Sequence, residues 1–350
     1  MIRVAILGAG IGREHLLAYR LLPGQYEVAM IVDQNTARAE ELRQDDSFSV
    51  VEDIATALND PDVDLIDICL PPHLHVPVCL QALESGKHVI CEKPLATSLE
   101  GAHRIAQAAK ASGKRVFPVF QYRWGPAFDQ LRQLIGEGLA GQPQVASVET
   151  HWSRCADYYA VPWRGTWAGE QGGAVLGHAI HNHDLLTHFM GPVARVAAMM
   201  TTRVNDIETE DCATISFEMQ NGAMASSSIT LGAATNESRI RLVFEHLTAT
   251  SGTEPYAPGT GTWTFKARVP ARQEAVDRVV SSTQPGPAGF VGFLTGVAQA
   301  LRGIHGAAVT LEDGIASIEL VTAIYSAAST RSYVNLPLLS THPMFKGWQP

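Results

Sequence analysis

The residues best placed to do chemistry are Lys93, in the run Cys91-Glu92-Lys93-Pro94, and the histidines His178, His181, His183 and His188. A lysine amine with a lowered pKa can take a proton from a hydroxyl, and an imidazole can relay or orient one. Near the start of the chain, Val4-Ala5-Ile6-Leu7 runs into Gly8-Ala9-Gly10-Ile11-Gly12, which offers backbone N–H groups and a helix dipole to a pyrophosphate. The G-x-G-x-G spacing is one residue shorter than the usual dinucleotide fingerprint, and a glycine turn with no ligand is the plain alternative. The next apolar run ends in Val32-Asp33, 25 residues beyond Gly8. A carboxylate there accepts a ribose 2′-hydroxyl and repels a 2′-phosphate; its plain alternative is a helix N-cap. Gln34, Asn35 and Thr36 follow, with no arginine before Arg38, so NAD is expected rather than NADP.

These groups need a scaffold. Up to about residue 125, short β-branched runs alternate with helical spacing, as in a parallel sheet covered on both faces. Arg3 to Leu7, Glu27 to Val32, Ser49 to Val51, Leu65 to Leu70, His88 to Cys91 and Val116 to Phe120 read as strands, and His75 to Glu84 and Leu99 to Ala111 as helices. This is a doubly wound α/β unit. Ligands bind such a sheet at the carboxyl ends of its strands, which places Leu70, Pro71 and His75 after one strand and Glu92 and Lys93 after another. Pro94 has no N–H and stiffens that turn.

From Gln142 onward, Val145 to Trp152, Arg195 to Thr202, Cys212 to Met219, Ala223 to Thr230 and Arg239 to Leu247 alternate as longer strands of an antiparallel or mixed sheet. Helical patterns run through Gly177 to Met190, Phe290 to Arg302 and Leu311 to Ser329, so a second, α+β domain is expected over 126–350, after a nucleotide-binding domain over 1–125. Gly252 to Gly261 and Ser281 to Gly289 read as loops. Tyr122, Arg123, Trp152, Tyr159, Trp163 and Arg164 lie in an aromatic-rich stretch. Aromatic faces stack on sugar C–H surfaces, or they pack a core. Either arginine suits a carboxylate or the cofactor.

The succession of the glycine turn, Asp33, Pro71 to His75, Gly86-Lys87-His88-Val89 and Glu92-Lys93-Pro94 resembles the Gfo/Idh/MocA family, the glucose-fructose oxidoreductase and inositol dehydrogenase group. Trp163-Arg164-Gly165-Thr166-Trp167, Gly172-Gly173, Ala179-Ile180-His181 and Asp184-Leu185-Leu186 continue the resemblance through most of the chain. It implies an N-terminal Rossmann domain, then an α+β domain with a large open, mainly antiparallel sheet that joins dimers or tetramers. It also implies NAD(P)-linked hydride transfer at a hydroxyl of a sugar, inositol or related cyclic polyol. By position, Lys93 resembles the catalytic lysine and His181 the histidine that hydrogen-bonds the reacting hydroxyl. Gly8, Gly10, Ile11, Gly12, Asp33, Leu70, Pro71, His75, Glu92, Lys93 and Arg164 are the expected cofactor contacts. Tyr122, Arg123, Trp152, Tyr159, Trp163, Lys93, His178 and His181 are the expected substrate contacts. Many relatives carry an aspartate four residues before the histidine, where this chain has Gly177; His178 is the candidate to fill part of that vacancy.

Other classes narrow on composition. The 350 residues hold 26 Lys and Arg against 35 Asp and Glu, a net charge of -9 with no basic run, so nucleic acid is not an expected partner. No apolar stretch reaches the roughly 18 uncharged residues of a spanning helix. The five cysteines are scattered and odd in number, which fits a reducing cytoplasm and offers no cysteine zinc site. His181, Asp184 and His188 share a helical face, but helix packing or substrate contact outranks a metal there, and none is expected. Two other readings stand beside the dehydrogenase: a redox-neutral glycoside-cleaving enzyme that oxidises C3 transiently, and an NAD-binding regulatory protein without catalysis.

Overall fold

Six short runs rich in Val, Ile and Leu form the first sheet: β1 (Ile2–Leu7), β2 (Tyr26–Val32), β3 (Ser49–Val51), β4 (Leu65–Ile68), β5 (His88–Cys91) and β6 (Val116–Pro118). They pair in the order β3-β2-β1-β4-β5-β6, every pair parallel. All four residues of β4 are buried, as a strand covered on both faces requires. The order reverses between β1 and β4, so the strand-end turns after them flank the switch point of the sheet. The ladder continues past the strands: Cys69 N–H donates to Leu7 O at 2.8 Å and Glu92 N–H to Ile68 O at 2.9 Å. The loops that follow β1, β4 and β5 therefore leave from one tied edge.

The computed structural model describes residues 1–304, 306 and 308–349. The chain forms two compact units, one of 1–120 with 290–318 and one of 121–289 with 319–350. This differs from a single division at 125/126, because 290–318 returns to the first unit. Tyr26 shows why: its hydroxyl donates to Leu294 O at 2.7 Å, and the Phe290 ring lies 4.5 Å from the His15 ring. Among the described residues, no helix is long and apolar enough to cross a membrane.

The second unit is built on eight strands: β7 (Pro143–Ser153), β8 (Val193–Thr201), β9 (Cys212–Met219), β10 (Met224–Thr230), β11 (Gly232–Phe244), β12 (Leu247–Thr250), β13 (Thr264–Ala267) and β14 (Val334–Asn335). Their order is β13-β12-β11-β7-β10-β9-β8-β14, antiparallel except for the parallel pair β7 and β10. The stretch expected as one strand from Arg239 to Leu247 is two, because the chain turns at Glu245-His246 and pairs back on itself. A further helix, Gln273–Ser282, begins before the loop expected at Ser281. Buried side chains of the sheet face a helix, Ile180–Met190, whose own residues 180 to 186 are all buried.

That helix begins as a π-turn, Val175–Ala179, two residues ahead of the expected start at Gly177. Glu210 organises the turn. Its Oε1 accepts the Val175 N–H at 2.9 Å, its Oε2 accepts the Gly173 N–H at 3.1 Å, and the Tyr325 hydroxyl donates to both oxygens, at 2.8 and 2.9 Å. The Glu210 carbonyl takes the Ala174 N–H, and a Cβ on Gly173 would lie 2.0 Å from that oxygen, so only glycine fits. The arrangement satisfies orphan N–H groups at a helix start with a carboxylate.

Burial pushes the Glu210 carboxyl up to about 7 against the pull of its donors. Its unfolded value is about 4.3, so the stability it contributes is complete below that pH and is lost as the pH rises through about 7. Thermal melts of wild type and Glu210→Gln should therefore show the wild-type Tm declining relative to the variant across this window. A difference that is constant or rises with pH would contradict this.

Candidate functional site

Gly8 leaves β1 with φ +99°, and a Cβ there would meet Cys69 O at 2.5 Å. The left-handed backbone and the close approach both require glycine. Gly12 packs its helix, Gly12–Arg20, onto the sheet, with Ile6 Cγ2 2.8 Å from where a Cβ would stand. Gly10 differs: nothing lies within 4 Å of its Cβ position. That open position, at a turn leading into a helix N-terminus, fits the close approach of a pyrophosphate. Ile11 beside it is exposed.

Asp33 is buried at the end of β2. It accepts the N–H of Ala9 at 2.7 Å and of Asn35 at 2.8 Å, and an Arg38 guanidinium nitrogen lies 2.6 Å from Oδ2. Burial opposes its ionisation, but the Ala9 N–H and Arg38 outweigh that and hold the carboxyl below its ordinary range. Asp33 thus ties the glycine turn to its own strand end and stays an anion. Arg38 is half exposed on that carboxylate.

Lys93 follows β5 in a half-buried turn whose Lys93–Pro94 peptide bond is cis. Glu92 Oε2 accepts the Lys93 N–H at 3.0 Å, and Glu92 Oε1 lies 3.1 Å from His15 Nε2. His15 Nδ1 is 2.9 Å from Asp67 Oδ2, which also accepts the Tyr19 hydroxyl at 2.8 Å. His15 and Asp67 are fully buried and Glu92 nearly so. Burial opposes protonation of His15, but Asp67 prevails and raises the ring well above its ordinary pKa, so it is an imidazolium at neutral pH. Burial also opposes ionisation of Glu92, yet the hydrogen bond and charge of His15 hold it below the usual carboxylate range. Among the described residues, His15, Asp67 and Cys69 bring ligand atoms within 4.8 Å of one another. Burial pushes the Cys69 thiol up to about 12, so it stays protonated, and these atoms bond each other as a hydrogen-bond network.

His75 was expected at the cofactor, together with Leu70 and Pro71. Its ring is buried, with Nδ1 2.6 Å from Pro94 O and Nε2 2.7 Å from Leu70 O. Desolvation outweighs both carbonyls and lowers its pKa. The neutral ring has one N–H, so it donates to one carbonyl and packs against the other. It therefore lies between the turns after β4 and β5, bonded to one carbonyl and in contact with the other.

In the second unit, His181 is buried and stacks on Tyr122 with ring centroids 4.2 Å apart. His178, also buried, meets the Tyr158 hydroxyl at 3.3 Å and stands edge-on to Trp152 at 5.5 Å. Trp152 is itself anchored by its indole N–H on Ser238 Oγ at 3.2 Å. The Arg164 guanidinium lies over the Tyr158 ring at 3.9 Å and beside Trp163 at 5.3 Å, in this aromatic group. Tyr159 packs edge-on to Tyr158. Arg123 is bidentate on buried Asp184, at 2.8 and 2.6 Å, which engages both the expected carboxylate binder and one member of the His181, Asp184, His188 face. His183 faces Ser227 Oγ at 3.0 Å, and burial lowers it to about 4, so it stays neutral.

Several residues escaped the sequence reading. His15, Tyr19 and Asp67 are one set; the signal was an aspartate inside the buried run Leu-Ile-Asp-Ile of β4. Glu170 is another. It is buried, its Oε2 accepts the Gly165 N–H at 2.7 Å, and its Oε1 lies 3.6 Å from where a Cβ on Gly177 would begin. A carboxylate thus stands at the side-chain-free turn of the helix that carries His178 and His181.

Residues 2–120 match the oxidoreductase family with an NAD-binding Rossmann fold, and residues 128–250 match the GFO/IDH/MocA C-terminal domain. The levoglucosan dehydrogenase of Pseudarthrobacter phenanthrenivorans is 30% identical over 215 residues, 57% of this chain and 54% of that protein. The inositol 2-dehydrogenase of Paracoccus denitrificans is 32% identical over 165 residues, 46% of this chain and 49% of that protein. The chain spans about half the length of both, and no more than 65% of the length of two bacterial oxidoreductases that are 28% and 27% identical to it. The WlbA dehydrogenase from Bordetella pertussis, solved with NADH and UDP-GlcNAcA, superposes with a TM-score of 0.83 at 27% identity, covering 97% of this chain and 99% of that one. With both halves matched in order, the chain belongs to the Gfo/Idh/MocA family of NAD-binding oxidoreductases.

Proposed function

We propose that the protein is an NAD-dependent dehydrogenase acting on a CH–OH group of a sugar, inositol or related cyclic polyol. One observation carries the reading: Lys93 leaves β5 on the same sheet edge as the Gly8 to Gly12 turn, in a turn held by Glu92, His15 and His75. The named activities of the relatives, on levoglucosan and inositol, support the substrate class. The open Gly10 position and the anionic Asp33 suit NAD, which when bound accepts the hydride released from the carbinol carbon.

The chain's own residues handle the proton. Loss of hydride from a secondary alcohol leaves a carbonyl only if the hydroxyl proton departs too. We assign removal of that proton to the Lys93 amine, and contact with the reacting oxygen to His181 and His178. Stacking on Tyr122 and the Tyr158 hydroxyl hold the two rings, which limits the orientational freedom lost on reaction. Glu170 supplies the carboxylate beside these histidines that position 177 lacks.

Gly10→Ala should melt near the wild-type temperature yet lose NAD in a calorimetric titration, because its Cβ enters space that is open in the protein alone. Gly8→Ala should instead lose about 1–3 kcal/mol of stability from backbone strain and its collision with Cys69 O. Equal NAD affinity in Gly10→Ala and wild type would contradict the assigned pyrophosphate site.

The catalytic reading is tested by steady-state rates on inositols, pyranoses and sugar acids, with melts of each variant. Lys93→Ala should keep its fold and NAD binding while kcat falls roughly a hundredfold or more. His181→Ala and Glu170→Gln should also lower kcat, and Gly177→Asp added to Glu170→Gln should recover part of the loss. Full activity in Lys93→Ala would overturn the mechanism. A Glu170→Gln variant with lower Tm but normal kcat would make Glu170 a packing residue.

A further inference from the structure

We propose that His15 is a positioning residue for Lys93: its ring, held between Asp67 and Glu92, fixes the Glu92 carboxylate against the Lys93 backbone and so sets the charge that the Lys93 amine experiences. The proposal rests on Lys93 being the acid–base group argued above. Nothing in the glycine turn or the Glu-Lys-Pro run announces it, because His15 lies on the helix after the glycines and Asp67 inside a strand.

The geometry is complete on both sides of the ring. Nδ1 is 2.9 Å from Asp67 Oδ2, Nε2 is 3.1 Å from Glu92 Oε1, and the second Glu92 oxygen accepts the Lys93 N–H at 3.0 Å. A doubly protonated imidazole donates in two opposed directions; a neutral one would turn a lone pair toward one carboxylate. His15 thus joins the first helix, the middle of β4 and the turn after β5 through one side chain. The Phe290 ring packs tilted against it, with ring centroids 4.5 Å apart.

Several titratable groups face this turn. His15 and Tyr19 come from the first helix, Asp67 and Cys69 from β4 and its end, and His75 from the helix His75–Glu84. The Tyr19 hydroxyl and the Cys69 thiol stay protonated, and burial keeps His75 neutral. Apart from Lys93, His15 is the one cation among these groups. Without it, the Glu92 carboxylate has Lys93 as its remaining counter-charge, and the amine holds its proton to higher pH. With Glu92 neutralised, the amine loses that attraction and releases its proton at lower pH.

The test uses the full chain without cofactor. Lysines are reductively methylated with ¹³C-formaldehyde, the Lys93 signal is assigned by its loss in Lys93→Arg, and its titration is followed by NMR. His15→Gln should raise the Lys93 midpoint by about half a pH unit or more, and Glu92→Gln should lower it by a similar amount. Midpoints equal to wild type in folded variants would overturn the proposal. If His15→Gln does not fold, Glu92→Gln carries the readout, since its amide still offers an acceptor to the Lys93 N–H. Turnover separates this proposal from the one beneath it. Moved midpoints with a kcat–pH profile displaced in the same direction support both, whereas moved midpoints with an unchanged profile uphold His15 and remove Lys93 as the base.

Discussion

Asp67 and Glu92 leave water at neighbouring strands of one parallel sheet, and carboxylates so buried persist only with a counter-charge and filled hydrogen bonds. His15 supplies both. Its imidazolium spans the pair, Tyr19 fills a further position on Asp67, and the Lys93 N–H fills one on Glu92. The helix that opens the nucleotide fold is thereby tied to the turn that carries the lysine. Removing one partner would strand the others, so glycine turn, helix and Glu-Lys-Pro turn are held as one unit.

The second unit uses carboxylates in a related way. Glu210 gathers the N–H groups that start the π-turn, Asp184 holds Arg123, and Glu170 stands where Gly177 has no side chain. Each buried acid is matched to a donor set, and each lies within or against the helix that bears His178 and His181. A π-turn at this place shifts the helical register by one residue relative to a regular start, a local irregularity often found at functional sites. The histidines are therefore set by polar constraints at the helix start as well as by the apolar face packed on the sheet.

Much of this was legible from residue patterns. The alternation of apolar runs gave the strands of the first sheet within one or two residues, because parallel strands buried on both faces are continuous runs of Val, Ile and Leu. Lys93, Asp33 and the glycine turn were legible because a strand end, a spacing and a backbone conformation each leave a local mark. Other features carry no local mark. Tyr26 reaching Leu294, and with it the return of 290–318 to the first unit, depends on contacts far apart in sequence. His15 and Asp67 are 52 residues apart, and only pairing makes either meaningful. Arg123 suits a carboxylate or the cofactor by residue type alone, and the carboxylate it meets belongs to Asp184, far along the chain; the strands at 247–250 and 264–267 are too short to alternate convincingly.

The proposed activity is transfer of a hydride from a carbinol carbon to NAD. The direct measurement is incubation with NAD and a panel of inositols, pyranoses and sugar acids deuterated at their carbinol carbons, followed by NMR of the nicotinamide and the sugar product. Deuterium at nicotinamide C4, with NADH accumulating in step with a keto product, is the predicted result. Glycoside cleavage without net NADH would instead assign the chain to redox-neutral chemistry, and NAD bound with no deuterium transferred from any member of the panel would contradict the account.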